Sequence, residues 1–175
     1  RSAMPASGSD FVTAPGLTPL FGHTLAQQLG EALAQTGTEE IFEFGAGTGA
    51  LALQLLDALG DQVTRYTIID LSGTLRARQA QQLTAHAHKL RWIDTWPEAI
   101  EGVVVGNELL DAMPVKLLVR HKGLWHERGV VAEADGLAWA DRPTLLRPPL
   151  EIEGDHDYLT EIHPQAEAFI ASLAE

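Results

Sequence analysis

The chain switches between two patterns of apolar residues, one with the period of an amphipathic helix and one with the continuity of a buried strand. The first 20 residues are rich in Gly, Pro, Ser and Thr, which predicts a loop, and leucines then mark one face of a helix that ends before Gly37. Four short apolar runs follow, and each predicts a strand: 40–45, 66–69, a segment ending near 92–94, and 103–105. Strands separated by helical segments indicate βαβ units, and therefore a mainly parallel sheet with helices on both faces.

A different pattern begins after the fourth strand. From residue 115 to about residue 142, short and partly alternating strands surround turns at 122–123 and 135–136, which predicts an antiparallel insertion. Residues 158–162 predict a strand or an extended segment, and a last helix follows from residue 163. Because 175 residues with 45% hydrophobic content can bury one sizeable core, we expect a single domain. Its expected parts are an N-terminal loop (1–20), a cofactor-binding core (21–114), the insertion (115–142), and a strand and helix that return to the core (157–175).

A glycine-rich segment, Glu43-Phe44-Gly45-Ala46-Gly47-Thr48-Gly49, lies between the first strand and the helix after it. Glycine tolerates positive φ and lets the backbone approach a ligand closely. The start of the following helix offers unpaired N–H groups to a negatively charged ligand group. The segment therefore predicts a cradle for a nucleotide cofactor.

Two classes of cofactor fit this turn. The spacing Gly45-x-Gly47-x-x-Ala50 matches the dinucleotide fingerprint. That fingerprint also has an acidic residue for the ribose hydroxyls about 20 residues further on, and Asp70 lies close to this position. Spaced as Glu43-x-Gly45-x-Gly47-x-Gly49, it matches the loop that binds S-adenosylmethionine (SAM) in class I methyltransferases. Glu43 favours SAM, because a carboxylate at that position suits a cationic methionine amine and has no evident use in a dinucleotide site. An NAD-dependent oxidoreductase is the alternative.

Acidic residues end successive predicted strands. In an open parallel sheet, ligands bind beyond the carboxyl ends of the strands, so these residues are the site candidates. We expect Glu43 to bind the methionine amine, Asp70 the ribose hydroxyls and Asp94 the adenine amino group. The expected cofactor site is completed by Gly45, Ala46, Gly47, Gly49, Leu71 and Asn107.

Composition narrows the classes of function. Twelve Lys and Arg against 24 Asp and Glu give a formal charge of −12, which disfavours nucleic acid as a partner and would attract a basic protein segment. The absence of cysteine excludes disulfides and thiol catalysis. No apolar run predicts a membrane span, and the spacing of the seven histidines predicts no metal site. The sequence has neither a Gly-x-Ser-x-Gly elbow nor a P-loop lysine, which weighs against hydrolases and NTPases.

Four segments resemble a known family: Asp10–Pro15, Asp70–Arg78, Gly106–Pro114 and Thr160–Pro164. The run Asn-Glu-Leu-Leu-Asp-Ala-Met-Pro at 107–114 is the most specific of them. Over nearly its whole length the chain is similar to the SAM-dependent methyltransferase family of the mitochondrial complex I assembly factor that dimethylates an arginine, with its bacterial relatives. The resemblance implies a Rossmann-like class I SAM-dependent methyltransferase fold. Because the family is longer than this chain, we expect the chain to be incomplete at its C-terminus.

The resemblance also implies a methyl-acceptor site after the fourth strand. Methyl transfer from a sulfonium depends on positioning and electrostatics, and paired carboxylates can hold the planar fork of a guanidinium, which is not deprotonated in proteins. Glu108 and Asp111 are suited to that role, and Asn107 could hold the cofactor or a substrate amide. Alternatively, Glu108 and Asp111 belong to the first turn of a helix and favour its dipole. Glu161 and His163 are expected on the substrate side, with a plain helix start as the alternative.

We therefore expect a SAM-dependent methyltransferase that modifies a protein arginine, with a respiratory complex subunit as a candidate substrate. It would act in the cytoplasm of a bacterium, or in the mitochondrial matrix in the eukaryotic relatives. A non-catalytic assembly chaperone with the same fold is an alternative, favoured by Gly16, which stands where the family leads us to expect a glutamate. A small-molecule or lysine methyltransferase is a further alternative.

Overall fold

The computed structural model describes residues 13–150, 153–154 and 156–175. Residues 1–12, with most of the expected N-terminal loop and the family-like residues Asp10 to Val12, lie outside the described residues. The chain divides into two compact units, residues 1–109 and 110–175. The single domain expected from the sequence stays a prediction.

Helices of the first unit begin earlier than the sequence predicted. The α-helices in its described part are α1 (Ala14–Leu17), α2 (Pro19–Thr36), α3 (Ala50–Leu59) and α4 (Gly73–Gln82), with 3-10 helices at Gly60–Gln62 and Thr84–Lys89. A loop was predicted through residue 20, but Pro15 and Pro19 each lie in the first turn of a helix, where a missing N–H costs nothing. The Thr18 hydroxyl accepts a hydrogen bond from the Leu20 N–H (3.3 Å) and caps α2. Prolines that predicted a loop are therefore helix starts.

The sheet of the first unit is parallel, as the sequence predicted. Its strands are β1 (Glu40–Phe44), β2 (Arg65–Ile69), β3 (Leu90–Ile93) and β4 (Val103–Val105). They lie in the order β3-β2-β1-β4, and every pairing is parallel, so their carboxyl ends share one edge. The chain runs outward from β1 in both directions, which makes the β1–β4 boundary a topological switch point, the place where open α/β sheets bind ligands.

One face of this sheet carries the main core. Ile41 of β1 and Tyr66 and Ile68 of β2 are fully buried there. They share a single cluster with apolar side chains of α2 and α3, namely Ala26, Leu29, Leu33, Leu51, Ala52, Leu55, Leu56 and Leu59. The leucine periodicity of the two helices is explained by this burial.

A close backbone approach at Gly102 precedes β4. A Cβ at this position would collide with the main-chain carbonyl oxygen of Glu40, which cannot move as a side chain could, and would lie 3.2 Å from Phe42 Cε2. We expect Gly102→Ala to lower the free energy of unfolding by about 1–3 kcal/mol, the usual cost of overpacking. Urea denaturation measures the change. Gly73→Ala is the matched control, because a Cβ at Gly73 meets nothing within 4 Å; an equal loss in both variants would contradict the steric explanation.

The second unit contains the antiparallel sheet that the sequence predicted. Its elements are β5 (Lys116–His121), β6 (Leu124–Glu133), β7 (Gly136–Pro143), β8 (Tyr158–Ile162) and α5 (Pro164–Ala174). The strands lie in the order β7-β6-β5-β8, and a small core forms around Leu118, Trp125 and Ile162. The sequence predicted that residues 157–175 return to the cofactor core, but β8 pairs antiparallel with β5 and so belongs to this second sheet.

In the described part of the chain, no helix has the length and apolar character that crossing a membrane requires.

Candidate functional site

The glycine-rich turn forms a tight crossing between β1 and α3. Gly45, Gly47 and Gly49 all have positive φ (69°, 55° and 89°), a conformation that residues with a Cβ rarely adopt. The Gly45 N–H donates to the Ile69 carbonyl (3.2 Å), which ties the turn to the end of β2, and the Gly49 N–H donates to the Ala46 carbonyl (2.8 Å). A Cβ at Gly47 would meet nothing within 4 Å, so the space over the middle of the turn is open. The turn can therefore accept a ligand against its backbone.

Glu43 is a buried acid on the core side of β1. Its side chain is 2% exposed, and its Oε2 accepts a hydrogen bond from the Tyr66 hydroxyl (2.8 Å). Burial raises the pKa of the Glu43 carboxyl from 4.5 to about 7; the Tyr66 hydrogen bond opposes this rise and the nearby charge of Asp70 adds to it. The pKa of the Tyr66 hydroxyl is raised well above 10 by burial and by Glu43, so Tyr66 remains the donor. A carboxyl group with this pKa changes its charge near neutral pH.

Asp70 is held by two donors directly after β2. Its Oδ1 accepts from the Ser72 N–H (2.8 Å), and its Oδ2 accepts from the side-chain amide of Gln79 (3.0 Å). The Asp70 N–H donates to the Ile93 carbonyl (3.1 Å) at the end of the neighbouring strand β3. Both the backbone and the carboxylate of Asp70 are thus fixed at the edge of the sheet where the glycine turn lies.

Gln79 is the residue of this site that the sequence reasoning missed. Its fully buried amide donates to the Gly47 carbonyl as well as to Asp70, and its Oε1 accepts from the Trp92 indole N–H; the first and last of these bonds are each 3.0 Å long. A signal was present, because Leu75, Gln79 and Leu83 follow one another at four-residue spacing, on one face of α4 and at the residue that caps its end. A polar residue within an apolar stripe predicts buried hydrogen-bond partners.

An acidic side chain and two exposed apolar side chains lie along the same edge. Asp94 is exposed after β3, and Leu71, next to Asp70, is 85% exposed although it is a large apolar residue. Trp96 is 44% exposed and its ring lies 5.4 Å from that of Phe44. Trp92 instead packs against the main core. Contact of Asp94 and Leu71 with a ligand stays a prediction.

Glu108 has a strained backbone beyond the end of β4. Its φ is 51°, and apart from Lys122 no other described residue with a side chain has a positive φ. Asn107 is half-buried, whereas the Glu108 side chain is exposed. The alternative prediction of a helix here is wrong, because residues 107–113 form bends and turns. Unfavourable backbone conformations of this kind cluster at functional sites.

The remaining expected site residues belong to the second unit. Asp111 is exposed in a turn, and Glu161 is exposed on β8. His163 precedes α5, and its Nε2 donates to the Met113 carbonyl (3.1 Å), so it links the start of that helix to the end of the Asn-Glu-Leu-Leu-Asp-Ala-Met-Pro run. Their contact with substrate stays a prediction. Gly16 lies in α1, where its N–H donates to the Thr13 carbonyl (2.9 Å).

Within residues 13–150 and the described residues beyond them, no three His, Asp or Glu side chains are grouped so that they could hold a metal ion. The His86 ring contacts the Asp57 carboxylate (2.7 Å) on α3.

Comparison with known proteins decides the family. Residues 24–175 match the model of a family described as "Putative S-adenosyl-L-methionine-dependent methyltransferase". The chain belongs to this family. The resemblance predicted from the sequence motifs is thereby confirmed, as is the class I methyltransferase fold.

Solved structures and a curated relative agree with the family. A Burkholderia thailandensis protein crystallised with S-adenosyl-homocysteine is 47% identical, with a TM-score of 0.84 over 94% of this chain and 46% of that one. A native structure from the same organism is also 47% identical, with a TM-score of 0.81 over 94% of this chain and 47% of that one. The mitochondrial protein arginine methyltransferase NDUFAF7 homolog of Caenorhabditis elegans is 29% identical over 154 residues, which are 73% of this chain and 36% of the relative. The chain therefore spans about half the length of the solved relatives and about a third of the curated one.

Proposed function

We propose that this chain binds SAM and that the acceptor of its methyl group is a protein arginine. The observation that carries the cofactor assignment is the fixed carboxylate of Asp70 beside the glycine turn, at the end of β2. A carboxylate there can accept hydrogen bonds from both hydroxyls of a ribose, and the solved relative's S-adenosyl-homocysteine contains that sugar.

The other residues of the first unit fit the parts of SAM. Glu43 would attract the methionine ammonium, directly or through water, and the open space over Gly47 leaves room for the ligand against the turn. Asp94 can accept from the adenine amino group, and Leu71 and Trp96 offer exposed apolar surface for the ring. When bound, SAM supplies an electrophilic methyl on a sulfonium; the protein's task is to hold it in line with a nucleophile.

The acceptor assignment rests on Glu108, with Asp111 and Asn107. A carboxylate pair can hold a guanidinium through parallel hydrogen bonds and direct one nitrogen toward the methyl. The name of the Caenorhabditis elegans relative, a protein arginine methyltransferase, supports this choice. Glu161 and His163 would contact the protein around the arginine. A respiratory complex subunit is the first acceptor to test, in the bacterial cytoplasm or, for the mitochondrial relatives, in the matrix.

The cofactor assignment is tested with Asp70→Ala. We expect this variant to bind SAM more weakly by about 1–3 kcal/mol, because the ribose hydroxyls lose a charged hydrogen-bond acceptor. Isothermal titration of wild type and variant with SAM, S-adenosyl-homocysteine and NAD measures the change. Asp57→Ala is the control, since Asp57 is a half-exposed acid of the same unit that contacts His86 instead of the site. Unchanged SAM affinity in Asp70→Ala would remove Asp70 from the site, and preferential binding of NAD by wild type would replace the methyltransferase with an oxidoreductase.

A further inference from the structure

The side chain of Gln79 connects three parts of the cofactor edge. It is 0% exposed, and its amide contacts the Gly47 carbonyl of the glycine turn, the Asp70 carboxylate after β2 and the Trp92 indole on β3. No other described side chain is hydrogen-bonded to both the turn and Asp70. Trp92 and Gly47 are 13 and 32 residues from Gln79 in the sequence, so the full network exists only in the folded chain.

The orientation of the Gln79 amide is determined by its partners. An indole N–H can only donate, so the atom facing Trp92 must be the amide oxygen. A carbonyl and a carboxylate can only accept, so the NH2 group must face Gly47 and Asp70, and its two hydrogens are both used. A flipped amide would place an oxygen against two acceptors and would leave the indole without an acceptor. The network therefore admits one arrangement.

The consequence for Asp70 is a carboxylate with a fixed plane. An ionised carboxylate has about four lone-pair positions. The Ser72 N–H takes one on Oδ1 and the Gln79 amide takes one on Oδ2, so each oxygen keeps capacity for one further donor. The two adjacent hydroxyls of a ribose would supply one donor to each oxygen. Without Gln79, only the Ser72 contact would restrain the carboxylate, which could then rotate about its own axis.

We infer that Gln79 is a positioning residue, which holds the Asp70 carboxylate in register with the glycine turn so that it accepts both ribose hydroxyls of the cofactor. The inference rests on the proposed SAM site. It adds an explanation of how Asp70 recognises the ribose of the cofactor. Gly49 packs closely against the same side chain. A Cβ at this position would lie 3.5 Å from Gln79 Cγ and from Leu83 Cδ1.

The test replaces Gln79 with methionine, which keeps the length of the side chain and removes its hydrogen bonds. Affinity is measured by calorimetry for S-adenosyl-homocysteine and for its 2′-deoxy analogue, which lacks one of the two hydroxyls. Wild type is expected to prefer the natural ligand by about tenfold, the scale of a hydrogen bond to a charged group. Gln79→Met is expected to lose about tenfold in affinity for the natural ligand and most of that preference, because its carboxylate no longer meets both hydroxyls.

A matched control separates positioning from stability. Gln54 also makes two hydrogen bonds through its side chain, accepting from the Gly22 N–H (3.0 Å) and donating to the Pro15 carbonyl (2.7 Å), but it links α1, α2 and α3 away from the turn. Gln54→Met should lower the melting temperature and leave the preference for the 2′-hydroxyl at the wild-type value. A structural role alone for Gln79 predicts the same pattern in both variants.

A second variant is available if Gln79→Met does not fold. Gln79→Glu keeps the size of the side chain and an acceptor for Trp92, but replaces the donor to Asp70 and Gly47 with an oxygen. It should also lose the 2′-hydroxyl preference. A folded Gln79 variant that keeps the wild-type preference for S-adenosyl-homocysteine over its 2′-deoxy analogue would overturn the inference about Gln79. The proposed SAM site would be unaffected by that result. Failure of wild type to bind S-adenosyl-homocysteine would instead overturn the proposed function.

Discussion

Glu43→Gln is expected to make the chain more stable at pH 8 and to weaken its binding of SAM. At that pH wild type carries a carboxylate that is buried and has one hydrogen-bond donor, Tyr66, as well as the charge of Asp70 nearby. Glutamine has the same size and carries no charge, and its oxygen can still accept from the Tyr66 hydroxyl. The wild-type residue is therefore costly for folding, which is expected of a group that is kept for a ligand.

The direction of the pH dependence follows from the raised pKa. The folded state holds the Glu43 proton more tightly than the unfolded state, whose pKa is near 4.5. The stability from this group is thus complete below pH 4.5 and is lost as the pH rises through about 7. We expect Glu43→Gln to raise the free energy of unfolding at pH 8 by about 1–3 kcal/mol, and by much less at pH 4.5. Urea denaturation at the two pH values measures this difference.

Ligand binding should depend on pH in the opposite sense. An ammonium group next to Glu43 favours the charged carboxylate, so SAM affinity should increase as the pH rises through about 7, and binding below that pH should release a proton. Calorimetry in buffers of different ionisation enthalpy counts the released protons. Tyr66→Phe is the control, because loss of its hydrogen bond should move the transition to higher pH. A wild-type pH profile in Glu43→Gln would show that Glu43 does not contact the methionine amine.

The sequence predicted the elements of the first unit because their signals are local. Apolar runs gave the four parallel strands, and the glycine spacing gave the turn between β1 and α3. Contacts between distant residues were not predictable in this way. Tyr66 reaches Glu43 across a sheet pairing, and Gln79 reaches Asp70 only because α4 packs beside the turn. The acids at the ends of the strands could be predicted from the sequence. Their hydrogen-bond partners could not.

Prolines account for the first of the differences between prediction and structure. Pro15 and Pro19 suggested a loop, but a proline is equally suited to the first turn of a helix. After β4, the acids at 108 and 111 suggested the first turn of a helix. Glu108 has a positive φ, which lies outside the right-handed helical region, so no helix begins there. The pairing of β8 was a third difference, since a strand can be recognised from its own residues but its partner cannot.

Glu108→Gln is expected to separate cofactor binding from methyl transfer. Glutamine keeps the size of the side chain and one hydrogen-bond acceptor but removes the charge that would hold a guanidinium. Glu108 follows β4, whereas the three acids proposed to bind SAM lie at the ends of the other strands: Glu43 on β1, Asp70 after β2 and Asp94 after β3. The affinity for SAM should therefore remain close to that of wild type. Methyl transfer to a protein acceptor should fall at least about 100-fold, the scale of losing one charge-stabilising contact in a transition state. Labelled SAM with a proteome extract, and with respiratory complex subunits, measures the rate.

Glu101→Gln is the matched control for this change. Glu101 is also exposed in the first unit, but it precedes β4 and so lies toward the opposite edge of the parallel sheet, where no cofactor or acceptor is expected. Its variant should transfer methyl groups at the wild-type rate. A chaperone that only binds its partner would keep its assembly activity in cells with Glu108→Gln, because no methyl group has to move. Wild-type methylation by Glu108→Gln would show that the arginine clamp is wrong, and that Asp111 or Glu161 has this role or the acceptor is not an arginine.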